Sequence, residues 1–183
     1  MDDEYRKIMI IGKPGSGKTI FAHKLGKLTS REVIHLDKYY WKSGWVKAYD
    51  SSDQFREKVR EFTLKEDWIL DGDFKNSIDV RLERADTVVF FDFPVWRSLV
   101  GVYSRWFFGG NNFIDKYPGM REPVSFELIK MIIFYPSKTI LQKLKNTQHK
   151  KIFIIHNRKD SEDALQEIVA RVLGKSKRES EVV

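Results

Sequence analysis

Short apolar runs alternate along this chain with stretches in which apolar residues return every three or four positions. The runs Lys7–Ile11, Val33–Leu36, Trp68–Leu70, Thr87–Phe91 and Lys151–Ile155 are rich in β-branched or aromatic residues and long enough only for buried strands. Between them the helical spacing predicts helices over Gly17–Leu28, Ser52–Lys65, Pro94–Phe107, Ser125–Asn146 and Ser161–Leu173. In the first of these, Ile20, Phe21, Leu25 and Leu28 form the face expected to be buried. Ser52 and Ser161 read as helix caps, since each precedes acidic first-turn residues and an amphipathic run. Strands that alternate with helices imply a parallel sheet covered on both faces, an α/β fold. Phe108–Pro123 breaks the rhythm with Gly109, Gly110, Asn111, Asn112, Pro118, Gly119 and Pro123. A loop of that length in a compact chain marks a lid or disorder, and its place between the fourth and fifth strands suits a lid.

At 183 residues the chain is the size of one domain, expected to span residues 1–173 with the polar, charged stretch 174–183 as a flexible tail. The absence of cysteine excludes a disulfide framework and a thiolate zinc site, and fits a reducing, cytoplasmic setting. His23, His35, His149 and His156 show no metal-ligand spacing and are expected in core or surface roles. Met1-Asp2-Asp3-Glu4 is acidic where an export signal is basic, and no apolar stretch is long enough to span a bilayer, so no membrane partner is expected. The net charge of +7 and pI near 9.4 admit two readings, attraction of nucleic acid or focusing of polyanionic nucleotides toward one cleft. Lys and Arg are interleaved with 26 acidic residues and form no long run. The nucleotide reading is therefore favoured, and no tight nucleic-acid binding is expected.

The first strand runs directly into Gly12-Lys13-Pro14-Gly15-Ser16-Gly17-Lys18-Thr19, a complete G-x-x-x-x-G-K-[ST] phosphate-binding loop. Glycines at 12, 15 and 17 let the backbone turn and bring its N–H groups close to phosphate oxygens. Lys18 is placed to meet the β- and γ-phosphates and Thr19 to bind Mg²⁺, with the following helix adding its positive N-terminal dipole. Ligands of open parallel sheets bind beyond the carboxyl ends of the strands. The residues there are Asp37, Asp71-Gly72-Asp73, Asp92 and His156-Asn157-Arg158.

With these residues in view, the chain resembles the adenylate-kinase-like P-loop kinases, and most closely the bacterial group labelled DNA topology modulation proteins. The matches are Ile11 to Thr19, His35-Leu36-Asp37-Lys38, Trp41-Lys42-Ser43-Gly44-Trp45, Trp68-Ile69-Leu70-Asp71-Gly72, Arg81-Leu82-Glu83-Arg84-Ala85-Asp86 and Phe91-Asp92-Phe93-Pro94. They are dense in the first half and sparse in the second. The resemblance implies a P-loop NTPase fold with five parallel strands in the order 2-3-1-4-5, helices on both faces and a lid insertion. It also implies an ATP and Mg²⁺ site, an acceptor-binding segment over residues 37–66 and a lid over 95–124. On this basis Gly12, Pro14, Gly15, Ser16, Gly17, Lys18 and Thr19 hold the nucleotide's phosphates. Asp71 looks like the carboxylate that orders the metal's water shell, so that Thr19 and Asp71 form the metal side; the alternative is a turn residue before Gly72. Asp37 matches the place where related kinases put a carboxylate near the acceptor hydroxyl; the alternative is a cap on the next turn. Arg158 lies where such kinases lay a side chain on the adenine; the alternative is a solvated arginine. The usual lid arginines fall nine and thirteen residues after the strand-four aspartate, here Gly101 and Arg105, with Arg97 and Arg121 as possible substitutes for the first.

The catalytic set implied is Lys18, Asp37, Asp71 and Arg105, in a kinase that transfers the γ-phosphoryl group of Mg-ATP to a small-molecule or nucleotide acceptor. The alternative function is an ATP-binding regulator associated with nucleic acid or protein that turns over little or not at all. Tyr39, Tyr40, Trp41 and Trp45 either stack an acceptor or form a satellite core beneath the Ser52–Lys65 helix, and the second is favoured for the tryptophans.

Overall fold

The computed structural model describes residues 5–42, 46–107, 124–147 and 150–180, with side chains as far as residue 174. Five strands, β1 (Lys7–Gly12), β2 (Val33–His35), β5 (Trp68–Asp71), β6 (Thr87–Phe91) and β7 (Lys151–Ile155), form one sheet in the order β2-β5-β1-β6-β7. Every pairing in it is parallel. Counted among themselves, these strands run 2-3-1-4-5, the order that the resemblance implies. A separate two-stranded antiparallel pair, β3 (Trp41–Lys42) with β4 (Val46–Lys47), lies between β2 and β5 in the chain.

The strands read as unbroken apolar runs because both faces of the sheet are covered. In β1, Met9 and Ile11 belong to one core with Phe55, Val59, Leu70, Ile78, Leu82, Val88, Phe90, Ile140 and Leu144. Ile8 and Ile10 belong to the other, with Phe21, Leu25, Ile69, Val89, Phe91, Ile155, Ala164 and Ile168. The first layer is made by α3 (Ser52–Thr63), α4 (Ile78–Arg84) and α7 (Ser137–Lys145), and the second by α1 (Lys18–Thr29) and α8 (Arg158–Ser180). Each fully buried Ile or Leu in these layers stabilises the fold by about 1.5–3 kcal/mol. A smaller cluster of Val102, Leu128 and Ile132 joins α5 (Val95–Phe107) to α6 (Phe126–Ile133).

Several expectations change at the ends of elements. The cap of α3 is Ser51, whose Oγ accepts the Gln54 N–H at 3.2 Å, so Ser52 is already helical. The last helix begins at Arg158 rather than near Ser161, because the Asn157 side chain accepts the Asp160 N–H at 3.0 Å, and it continues to Ser180. Ser125 does cap its helix, accepting from Leu128 N at 3.1 Å. The single helix expected over Ser125–Asn146 is two, since Pro136 lacks an N–H and disfavours helical geometry at Tyr135. In α1 the buried apolar side chains are Phe21, Ala22 and Leu25, while Ile20 and Leu28 are exposed. Two short helices, α2 (Leu36–Tyr40) and α4, and the β3–β4 pair were not foreseen. Among the described residues no helix is long and apolar enough to cross a membrane.

Candidate active site

The phosphate loop closes on one carbonyl. Lys13 O accepts the Ser16 N–H at 3.4 Å, the Ser16 hydroxyl at 2.7 Å and the Lys18 ammonium at 2.6 Å. Gly12, Gly15 and Gly17 take φ of 138, 76 and 90°. The N-cap of α1 is Gly17 and no side chain caps this helix, so its first-turn N–H groups remain available to an anion. Thr19 is half-buried in that first turn. Pro14 is half-buried and Ser16 buried, its hydroxyl turned inward to brace the loop.

Helix α5 lies directly on the loop. A Cβ at Gly15 would stand 2.2 Å from the Ser98 carbonyl oxygen, and a Cβ at Gly101 would stand 2.1 Å from the Gly15 carbonyl oxygen. Backbone meets backbone at both positions. At position 101 no side chain fits while the loop keeps this shape. Arg105, one turn further along α5, is exposed and lies within the electrostatic reach of Lys18.

Lys18 gathers the carboxylates that follow two strands. Burial pushes its ammonium pKa down, Asp73, Asp71 and Asp37 oppose that in falling order of strength, and Arg105 adds to it. The net direction is downward. Asp71 ends β5 with its side chain 4% exposed, and its Oδ2 lies 2.9 Å from His35 Nδ1. With the carboxylate as acceptor, the His35 proton sits on Nδ1. Asp71 Oδ1 is buried and accepts no hydrogen bond among the described residues. A hydroxyl and a carboxylate beside a phosphate loop are hard oxygen donors of the kind that suits Mg²⁺ and its water shell, so Thr19 and Asp71 fit that ion. Among the described residues no group of three or more His, Cys, Asp or Glu could hold a metal without phosphate oxygens. Asp37 is half-buried in the first turn of α2 and is not its cap.

A second layer holds these groups and was not read from the sequence. Lys13, 6% exposed, pairs with Asp92 at the end of β6. Ser137 Oγ donates to Asp92 at 2.5 Å and accepts from Lys13 Nζ at 2.8 Å. Burial pushes the Asp92 carboxyl up, but the hydrogen bonds from Lys13 and Ser137 and the nearby charges outweigh it and bring the pKa below the ordinary carboxylate value. Tyr135, two residues before Ser137, donates its hydroxyl to Asp73 Oδ1. Burial, with the Asp73 carboxylate beside it, pushes the Tyr135 hydroxyl pKa up.

Arg81 is fully buried on α4 and donates to the carbonyls of Gly72 (2.6 Å), Phe74 (3.1 Å), Ser77 (3.2 Å) and Asp73 (3.4 Å). Burial, partly offset by Asp73, lowers its pKa to about 10. One side chain thus fixes the loop that follows Asp71 and carries Asp73. Arg81→Ala removes these bonds, although Phe74 O keeps the Ser77 N–H and hydroxyl, and we expect a loss of about 3 kcal/mol, a Tm fall of roughly 6–12 °C. Thermal unfolding followed by circular dichroism checks this, and a shift under about 2 °C would refute the bracing role.

Of the other expected residues, Arg158 is exposed at the start of α8, after the edge strand β7. Arg97 stacks on Phe93 and Trp96, its guanidinium 5.8 and 5.6 Å from the ring centroids. Arg121 and Trp45 lie outside the described residues, as does the expected lid loop Phe108–Pro123. Tyr39 packs on Phe62 of α3, and Tyr40 on Phe55 of α3, Phe74 and Trp41. Tyr40 thereby joins the core cluster that contains Phe55, while Tyr39 stays exposed.

No family model matches the sequence, and no curated protein does. Among solved structures, the chain is similar to an unliganded sugar kinase from Janibacter sp. HTCC2649, at 16% identity and a TM-score of 0.50 over 92% of each chain. It is also similar to a gluconokinase from Sinorhizobium meliloti 1021, at 15% identity and a TM-score of 0.51 over 96% of this chain and 94% of that one. The likeness is one of fold, the P-loop kinase α/β fold.

Proposed function

We propose that this protein is a kinase that transfers the γ-phosphoryl group of ATP to a hydroxyl of a small acceptor. The observation that carries the reading is the meeting of Lys18, the uncapped start of α1 and the unsatisfied Asp71 carboxylate oxygen at the carboxyl edge of the sheet. Loop N–H groups of residues 15–19 and the Lys18 ammonium bind and orient the phosphates. Thr19, and Asp71 through water, would hold Mg²⁺, which would supply positive charge to the phosphates. Arg105 acts on charge that develops during transfer, and Arg158 contacts the adenine side. Asp37 and its segment face the acceptor.

The local resemblance to the topology modulation group covers mainly the first half and adds no chemistry of its own. The two structural neighbours bear kinase names with sugar or sugar-acid substrates, which makes polyhydroxy compounds and their acids the first acceptors to try. The test is a thermal-shift panel of sugars, sugar acids, nucleosides and nucleoside monophosphates, with and without Mg-ATP. A ligand at 100 times its Kd stabilises by about 2.7 kcal/mol, so a true acceptor raises Tm measurably. No stabilisation by Mg-ATP would sink the nucleotide site. Stabilisation by Mg-ATP but by no hydroxyl compound would favour an ATP-binding regulator.

A further inference from the structure

Helix α5 rests on the phosphate loop along one side, through the Ser98 carbonyl and Gly101. Its opposite side is apolar and open. Trp96, Val100, Tyr103 and Phe107 follow one another at intervals of four, three and four residues, the a and d spacing of a helix seam, and Trp106 flanks them. All five are 45–73% exposed. The helix carries no carboxylate, and neither of its arginines, Arg97 and Arg105, falls at a seam position. At about 150–250 Å² for a whole aromatic side chain, these exposed fractions leave roughly 400–600 Å² of apolar surface, the upper end for a monomer. Two such faces brought together remove roughly 1,000 Å² from water, the least that a specific interface needs.

We propose that this face is the contact between two copies of the chain, their α5 helices packing antiparallel about a two-fold axis. The inference is independent of the phosphoryl-transfer reading. A two-fold contact requires a surface complementary to itself. With the axis between Val100 and Tyr103, Val100 of each copy meets Tyr103 of the other, and Trp96 meets Phe107, so every layer of the seam sets an aromatic ring against an apolar side chain. A partner recognised by charge would need counter-charges in the seam, and the seam has none; a second copy needs none. Each α5 then lies between its own phosphate loop and the other copy's α5, so the seam is turned away from both nucleotide sites. With an area near the minimum, the pair forms reversibly, with a Kd in about the micromolar range.

Sedimentation velocity of the full chain, over about 1–100 μM, tests this. The mass is expected to rise with concentration from the 21.7 kDa of one chain toward twice that value and to stop there. Val100→Glu and Tyr103→Glu, folding being checked by Tm, are each expected to weaken association about tenfold or more. Leu173→Glu on α8, at an apolar residue of similar exposure, is expected to leave it unchanged. Raised salt is expected to leave the wild-type pair intact, because apolar contact is not screened. Mg-ATP affinity, read by calorimetry, is expected to be the same in Tyr103→Glu as in the wild type. A wild type that stays monomeric at every concentration overturns the inference. So does association that survives both glutamates, that falls equally in Leu173→Glu, that grows past two copies or that is lost in high salt. Loss of Mg-ATP affinity in Tyr103→Glu with association retained assigns the face to the nucleotide site and overturns the inference as well.

Discussion

Replacing Gly101 with arginine is expected to abolish measurable Mg-ATP binding, although it adds positive charge beside the phosphate loop. The first atom of any side chain there would lie 2.1 Å from the Gly15 carbonyl oxygen. That oxygen belongs to the backbone and cannot rotate away, so either α5 lifts or the loop deforms. Overpacking of this kind costs roughly 1–3 kcal/mol in stability and more when backbone must move. Because the deformation falls on the phosphate-binding N–H groups, affinity drops by at least about tenfold even in Gly101→Ala. Val100→Arg is the control, since Val100 is the preceding residue on α5 and is 58% exposed. Titration calorimetry with Mg-ATP separates the outcomes: affinity retained in Gly101→Arg would show that the loop can yield without loss.

Lys18→Ala is expected to weaken Mg-ATP binding roughly 100-fold, about 3 kcal/mol, the loss of a charge-assisted contact in a partly desolvated site. The fold should persist, because among the described residues Lys18 donates its hydrogen bond to a carbonyl already served by Ser16. A companion effect concerns pH. The ammonium is the binding form, and burial lowers its pKa from the ordinary value. Raising the pH should therefore weaken ATP binding at a lower pH than an ordinary lysine would. Wild-type affinity that stays flat across the alkaline range would argue that Lys18 does not contact phosphate. Unchanged affinity in Lys18→Ala, with the far-ultraviolet spectrum intact, would argue the same more strongly.

The five sheet strands were legible because each is buried on both faces, and such strands spell continuous apolar runs. The β3–β4 pair was not, being two residues per strand. Helix α4 was hidden for another reason: Arg81 is its most enclosed side chain, and an arginine on a short amphipathic stretch reads as solvent-facing. Ile20 and Leu28 misled in the opposite sense, since apolar spacing on α1 does not say which apolar residues the sheet covers. At the site, the loop and the residues after β2 and β5 were legible from motif and position. The partnership of Lys13 with Asp92 and Ser137 was not, because its members lie 79 and 124 residues from Lys13 and share no pattern. Gly101 stood out in the sequence only against the resemblance, and its close approach to Gly15 is a contact that the sequence does not spell.

The contacts of Tyr135 and Ser137 bear on what could be called the unit of this protein. Residues 12–19 hold the letters of a phosphate loop, yet the second of them, Lys13, keeps its buried charge and its place through Asp92 and Ser137. A fragment that ended before α7 would retain all of residues 12–19 and lose the cover over that buried ion pair, whose disruption costs roughly 3–5 kcal/mol. The loop is thus not a portable cassette. Its shape is a property of the nearly complete chain, available only once a joint more than a hundred residues downstream has come back to it.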